Sequence, residues 1–304
     1  FSHHVSPFPN LHVLQPNIRF FVDHGVRKHF QQTNTSPGHE WSELKSYLLA
    51  RLLWNPRTDV DEVTDDFLDG YYGPAAPFLR RYIDALRGAL ERSGANLDIY
   101  EPPAVHAADH LSADDVALYD KLFDRAEAAA AGDREVLTRV KTARLPLMYA
   151  ELEIGKDDMF GPRGFYENKG GRFEARPAMV RLLDEFAARC RAGGVRTLNE
   201  SGLTPAAYYD SVKRFIDVQV EGNLAFRRPV TADPLPAAKY AKGDLAVLTN
   251  GVRGAADFKV HWLGWEGVDF VLTLDLGIPS WAKYALQDTT KPLAMFTVPC
   301  GALS

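Results

Sequence analysis

Cysteine is scarce in this chain: two residues in 304, Cys190 and Cys300. They fall in regions read below as different domains, so no disulfide framework is expected. Long apolar runs are missing too. No stretch approaches the ~20 residues that a membrane-crossing helix needs, and no span is expected. Positive charge is not in excess. Lys and Arg total 35 against 40 Asp and Glu, a net charge of -5 with no basic stripe, which argues against nucleic acid as a partner. HExxH, paired CxxC, a phosphate-cradling Gly-rich loop, a nucleophile elbow and a dinucleotide fingerprint are all absent. His3-His4 lacks a third ligand at zinc spacing. Asp61, Glu62, Asp65, Asp66 and Asp69 share a helix rather than a turning loop, the pattern of a solvated face and not of a calcium site. No metal and no cofactor is expected.

What is present is ordinary globular material, 46% hydrophobic and 25% charged, enough for two or three cores. Residues 15–25 read as a short helix, with Pro16 in its first turn and Gly25 past its end. Residues 26–32 (VRKHFQQ) read as a short strand before a loop. Residues 39–73 carry two helices broken at Pro56. Leu44, Tyr47, Leu48, Arg51 and Leu52 mark one face of the first, while Val63, Phe67, Tyr71 and Tyr72 form the apolar side of the second. Asp59 and Glu62 form a capping pair between them.

Helical spacing continues over residues 75–93, after Ser112, over residues 136–154 with a bend at Pro146, over residues 177–191 and after Thr204. Near Asn223 the pattern changes. Pro229, Pro234 and Pro236 suggest a linker. Val268, Phe270, Leu272, Leu274 and Leu276 then alternate as a half-buried antiparallel strand, and Asn250-Gly251 is a turn signal.

Four motifs carry a resemblance: PFPNL (7–11), NIRFFVDHGV (17–26), ELKSYLLARLLWNP (43–56) and DFLDGYYGPAA (66–76). Residues 6–94 resemble the glycoside-hydrolase-like family called domain of unknown function 4838. LLARLLWNP also resembles the closing helix of α-glucuronidase and β-hexosaminidase barrels, and RVKTARLPLMYAELEIGK (139–156) resembles the helical segment that follows in the same proteins. LTNGVRGAADFKVHWLGWEGVDFVLTLDLG (248–277) resembles the start of a discoidin-like, coagulation factor type C module.

The resemblance implies a multidomain α+β chain in three parts. Residues 1–94 would be the last units of a TIM (β/α) barrel, residues 95–222 an α-helical domain, and residues 223–304 the first part of an antiparallel β-sandwich of jelly-roll type. It implies a carbohydrate-active parent, a glycoside hydrolase with an appended sugar-binding module. The alternative is a non-catalytic glycan-binding or adhesion protein. A polysaccharide or glycan is the implied partner, and a periplasmic or extracellular location the implied setting. The paired carboxylates of such barrels are expected upstream of Phe1, leaving this chain silent as a catalyst.

Within the chain, the end of the last barrel strand and the loop after it are where such barrels bind substrate. That selects Gln32, Asn34, His39, Glu40 and Trp41. Gln32 and Glu40 would hydrogen-bond sugar hydroxyls, and Trp41 would offer a stacking face. Glu40 equally fits a helix N-terminus through the dipole, and Trp41 fits a hydrophobic staple. In the last domain Trp265, between Gly264 and Gly267, is the candidate for an exposed sugar platform; Trp262 reads as core and Arg253 as a solvated turn residue.

Overall fold

A computed structural model describes residues 3–32, 36–169, 172–216, 223, 225–240, 245–249, 263–276 and 294–298. The expectations placed on Asn34, the Asn250-Gly251 turn, Arg253, Trp262 and Cys300 lie outside these residues. The chain divides into two compact units. One comprises residues 1–167 and 175–210, the other residues 168–174 and 211–304.

The helices follow local signals. α1 (Leu11–Asp23) begins four residues earlier than Pro16 suggested, so the proline sits inside it. α2 (Ser42–Trp54) stops before Pro56. α3 (Val60–Tyr72) is capped by Asp59, whose Oδ1 accepts from the amides of Asp61 at 2.9 Å and Glu62 at 3.1 Å. Those amides have no partner within the helix, and such a cap contributes about 1 kcal/mol. α4 (Ala76–Ser93) ends at Gly94 in the left-handed region, the usual helix-terminating glycine. α5 (Ala113–Ala129) starts at Ser112, whose Oγ accepts from the Asp115 amide.

Residues 136–154 form two helices rather than one bent helix, α6 (Arg134–Ala143) and α7 (Leu145–Asp157). Pro146 falls in the first turn of α7, where its missing N–H costs nothing, so it starts a helix instead of kinking one. Strands β1 (Tyr166–Lys169) and β2 (Arg172–Ala175) pair with each other and precede α8 (Pro177–Ala192) and α9 (Pro205–Ile216).

The first unit is a helical assembly with a continuous apolar core. Leu44 and Trp41 at the start of α2 meet Tyr72 of α3, Leu79 and Leu86 of α4, Tyr119 and Phe123 of α5, and Leu147 and Ile154 of α7. This core runs through both sides of residue 94, so α2 to α7 share one interior. A second cluster joins Ile18 of α1 to Leu48 and Leu52 of α2 and to Val63 of α3. The strand expected over residues 26–32 is absent: the segment is irregular, and Phe30 is 87% exposed. An alternating pattern becomes a strand only where a neighbour pairs its backbone, and these residues have none beside them in the sheets of the structure.

The second unit holds an antiparallel sheet of order β3-β4-β5, from Val230–Asp233, Phe270–Leu274 and Ala294–Val298. Val230 faces Leu274 in register, and Phe270 faces Val298. The proline-rich stretch read as a linker therefore contains a strand. Pro229 and Pro234 flank β3 without interrupting it, so no ladder amide is lost.

Candidate functional site

A pocket of about 250 Å³ opens in the first unit beside the loop that leads into α2. The loop contributes Pro37, Gly38, His39 and Trp41, and α2 contributes Glu43. Tyr71 and Tyr72 come from the end of α3, Thr138, Arg139 and Thr142 from α6, and Gly193 from the end of α8.

The loop is shaped by two residues with positive φ. Gly38 sits at φ +81, and a Cβ there would meet Val195 Cγ2 at 2.4 Å. Trp41 sits at φ 51, immediately before α2. For a bulky side chain that conformation costs on the order of 1–3 kcal/mol. Burial offsets it: Trp41 is 7% exposed, with the rings of Tyr72 and Tyr82 at 6.2 and 6.1 Å from its own. Burying an aromatic side chain of 150–250 Å² contributes roughly 4–6 kcal/mol at ~25 cal/mol per Å².

His39 is buried. Its Nε2 lies 2.9 Å from the Thr197 carbonyl oxygen and therefore carries the proton, while its ring lies 4.7 Å from that of His4. Burial holds its pKa below the ordinary imidazole value, and pushes His4 down to about 4. Glu40 points the other way from the expected role. It is buried and ion-paired with Lys45, and burial raises its pKa even though Lys45 opposes the shift. A carboxylate so enclosed anchors the loop to α2. Gln32 is exposed, on the irregular segment after α1. Of the residues selected by sequence, the pocket thus gathers His39 and Trp41.

Trp265 belongs to the other unit. Its indole is stacked on Phe270, centroids 3.9 Å apart and nearly parallel, and its Nε1–H donates to the Pro234 carbonyl at 2.7 Å. One face and the polar edge of the ring are therefore occupied by the protein.

The polar wall of the pocket comes from residues that sequence reading passed over. Ser42 Oγ donates to Glu43 Oε2 at 2.9 Å. Arg139 lies over the Tyr71 ring at 4.3 Å, donates through Nη1 to the Tyr71 carbonyl at 2.9 Å and through Nη2 to Glu135. Both phenols have raised pKa values, chiefly through burial and secondly through Glu43, so both are neutral O–H groups at physiological pH. Adjacent tyrosines on a helix point about 100° apart. The Tyr71-Tyr72 pair therefore held a signal that one of them leaves the core face.

This arrangement combines aromatic walls with a carboxylate, a guanidinium and several hydroxyls. It can hold a small hydroxyl-bearing ligand by hydrogen bonds and ring contact. A glycosidic bond is cleaved between two carboxyl groups, about 5–9.5 Å apart. Glu43 is the one carboxylate among the described residues lining the pocket.

No curated protein and no solved structure matches the chain. Residues 1–84, which supply the loop, α1, α2, α3 and Glu43, Tyr71 and Tyr72 of the pocket, match the family model described as Domain of unknown function (DUF4838).

Proposed function

We propose that the chain is part of a carbohydrate-active protein acting on a polysaccharide or glycan outside the cytoplasm, and that the pocket beside α2 is a sugar-holding subsite. The observation that carries this reading is the convergence of Glu43, Arg139, Tyr71 and Tyr72 on one pocket at the entrance to α2. Carboxylate and phenol groups beside aromatic rings suit a ligand with hydroxyls on its rim and C–H faces between them. The resemblance of residues 6–94 to glycoside-hydrolase barrels supports hydrolysis of a glycosidic bond as the parent activity.

The non-catalytic alternative draws on the single carboxylate of the pocket: a subsite of this composition binds without cleaving. In either reading the chain alone does not hydrolyse. A glycan array probed with the chain is expected to light up for a subset of glycans and to lose that signal in Glu43→Ala. A flat array overturns the carbohydrate reading. Release of aryl alcohol from aryl glycosides by the chain alone overturns its assignment as a silent subsite.

A further inference from the structure

Tyr72 is the most informative residue of the pocket. Its ring is packed against Trp41, Phe67 and Tyr71, and the residue is 3% exposed. A buried phenol normally finds a hydrogen-bond partner, because leaving one unpaired costs about 1–3 kcal/mol. Among the described residues the Tyr72 hydroxyl has none, yet its oxygen is not among the sealed, unpartnered atoms. Tyr72 is one of the residues that line the pocket. The hydroxyl is thus a polar group held in place by an aromatic cage and left for something that enters.

The charges around it select what enters. The guanidinium of Arg139 is occupied by Glu135 and by the Tyr71 carbonyl. Glu43 has no ion-pair partner among the described residues, and its one hydrogen bond comes from the neutral Ser42 hydroxyl. The wall's unpaired charge among the described residues is therefore the negative one. Space is limited as well: about 250 Å³ lies below the ~300–1,000 Å³ of pockets that hold drug-sized ligands. Resting on the carbohydrate reading, we propose that Tyr72 and Glu43 together recognise a single sugar ring that carries no negative charge, Glu43 accepting from ring hydroxyls and Tyr72 exchanging one further hydrogen bond.

Saturation-transfer NMR and calorimetry on the chain, with methyl glycosides of neutral hexoses and of the corresponding hexuronic acids, test this. Neutral glycosides are expected to bind and hexuronates to bind at least tenfold more weakly. Tyr72→Phe keeps the ring and its packing, so its melting temperature should hold, while affinity for the neutral glycosides falls on the order of three- to tenfold, one lost hydrogen bond. Glu43→Gln should narrow the gap between neutral and acidic sugars. Equal or tighter binding of hexuronates by the parent chain overturns the proposal, and so does unchanged affinity in Tyr72→Phe. In both cases sugars still bind and the broader reading stands. Absence of binding by every glycoside, together with a flat glycan array, removes both.

Discussion

Arg139 of α6 and Tyr71 of α3 are joined twice: the guanidinium lies 4.3 Å from the phenol ring centroid, and its Nη1 donates to the Tyr71 carbonyl oxygen at 2.9 Å. That carbonyl belongs to the last turn of α3, where carbonyls have no helical partner. Arginine therefore closes a helix end and fixes the ring that walls the pocket. Lysine cannot do both, since its ammonium lacks the planar fork. Arg139→Lys is expected to cost about 1–2 kcal/mol of stability, the sum of a ring contact and one hydrogen bond. Urea unfolding followed by circular dichroism measures it. A midpoint equal to that of the parent would remove the double linkage from the account.

Gly38 offers a sharper test of the loop. Its φ of +81 already disfavours any side chain, and a Cβ would lie 2.4 Å from Val195 Cγ2 and 3.2 Å from Leu145 Cδ1. Gly38→Ala combines the left-handed penalty of about 1–2 kcal/mol with overpacking of about 1–3 kcal/mol. The loss should reach roughly 2–5 kcal/mol, and any ligand signal of the pocket should weaken with it. A variant that melts with the parent would show that the loop takes another path in solution.

The helical part of this architecture was legible because its signals are local. Asp59, Ser112 and the proline at position 177 act within one turn of where they stand, so α3, α5 and α8 begin where the sequence placed them. Residues 26–32 failed for the opposite reason. Val26, Lys28 and Phe30 alternate as a strand would, but alternation becomes a strand through neighbours, and Phe30 ends up in solvent. β3 was hidden by its flanking prolines. The pocket was half legible. Its loop residues stood out, whereas Arg139 reaches Tyr71 across 68 positions, a distance that no spacing rule covers. Glu40 misled because a helix-entry carboxylate looks the same in sequence whether it faces a ligand or, as here, an internal lysine.

A second pocket, of about 390 Å³ between α5, α7 and α8, sets up a pH effect of unusual sign. Its wall includes Glu151, pushed up to about 7 by burial first and by Asp120 second, with Arg163 and Arg144 opposing. Arg144 is already engaged by Asp120, Asp124 and Glu127. Between pH 4.5 and 7 the folded chain holds a proton on Glu151 that the unfolded chain has released. Stability from this group is therefore present below pH 4.5 and lost as pH rises through 7, up to about 3 kcal/mol. Glu151→Gln keeps the shape and removes the ionisation. It should raise the melting temperature at pH 8 and leave it nearly unchanged at pH 4.5. The same increment at both pH values would contradict the raised pKa.

His110 acts in the opposite direction. It is fully buried, neither ring nitrogen has a hydrogen-bond partner among the described residues, and the His106 ring lies 4.7 Å away. Burial first, and the His106 charge second, push its pKa down to about 4, while Asp109 and Asp115 oppose. The unfolded chain takes up a proton near pH 6.5, and the folded chain resists until about pH 4. Stability is lost as pH falls through that window, up to about 3 kcal/mol. The unpaired nitrogens also weaken the fold at neutral pH, since burying a polar group without a partner costs about 1–3 kcal/mol. The Tyr119 hydroxyl donates to the backbone oxygen of His110, so a side-chain change leaves that bond in place. His110→Leu is therefore expected to be neutral or stabilising at pH 7.5 and to flatten the acid limb between pH 6.5 and 4. Some acid sensitivity should persist through His4, which is shifted in the same sense. Paired urea midpoints at pH 7.5 and 4.5 decide it: if the variant loses as much stability on acidification as the parent, the buried imidazole is not what makes this fold acid-sensitive.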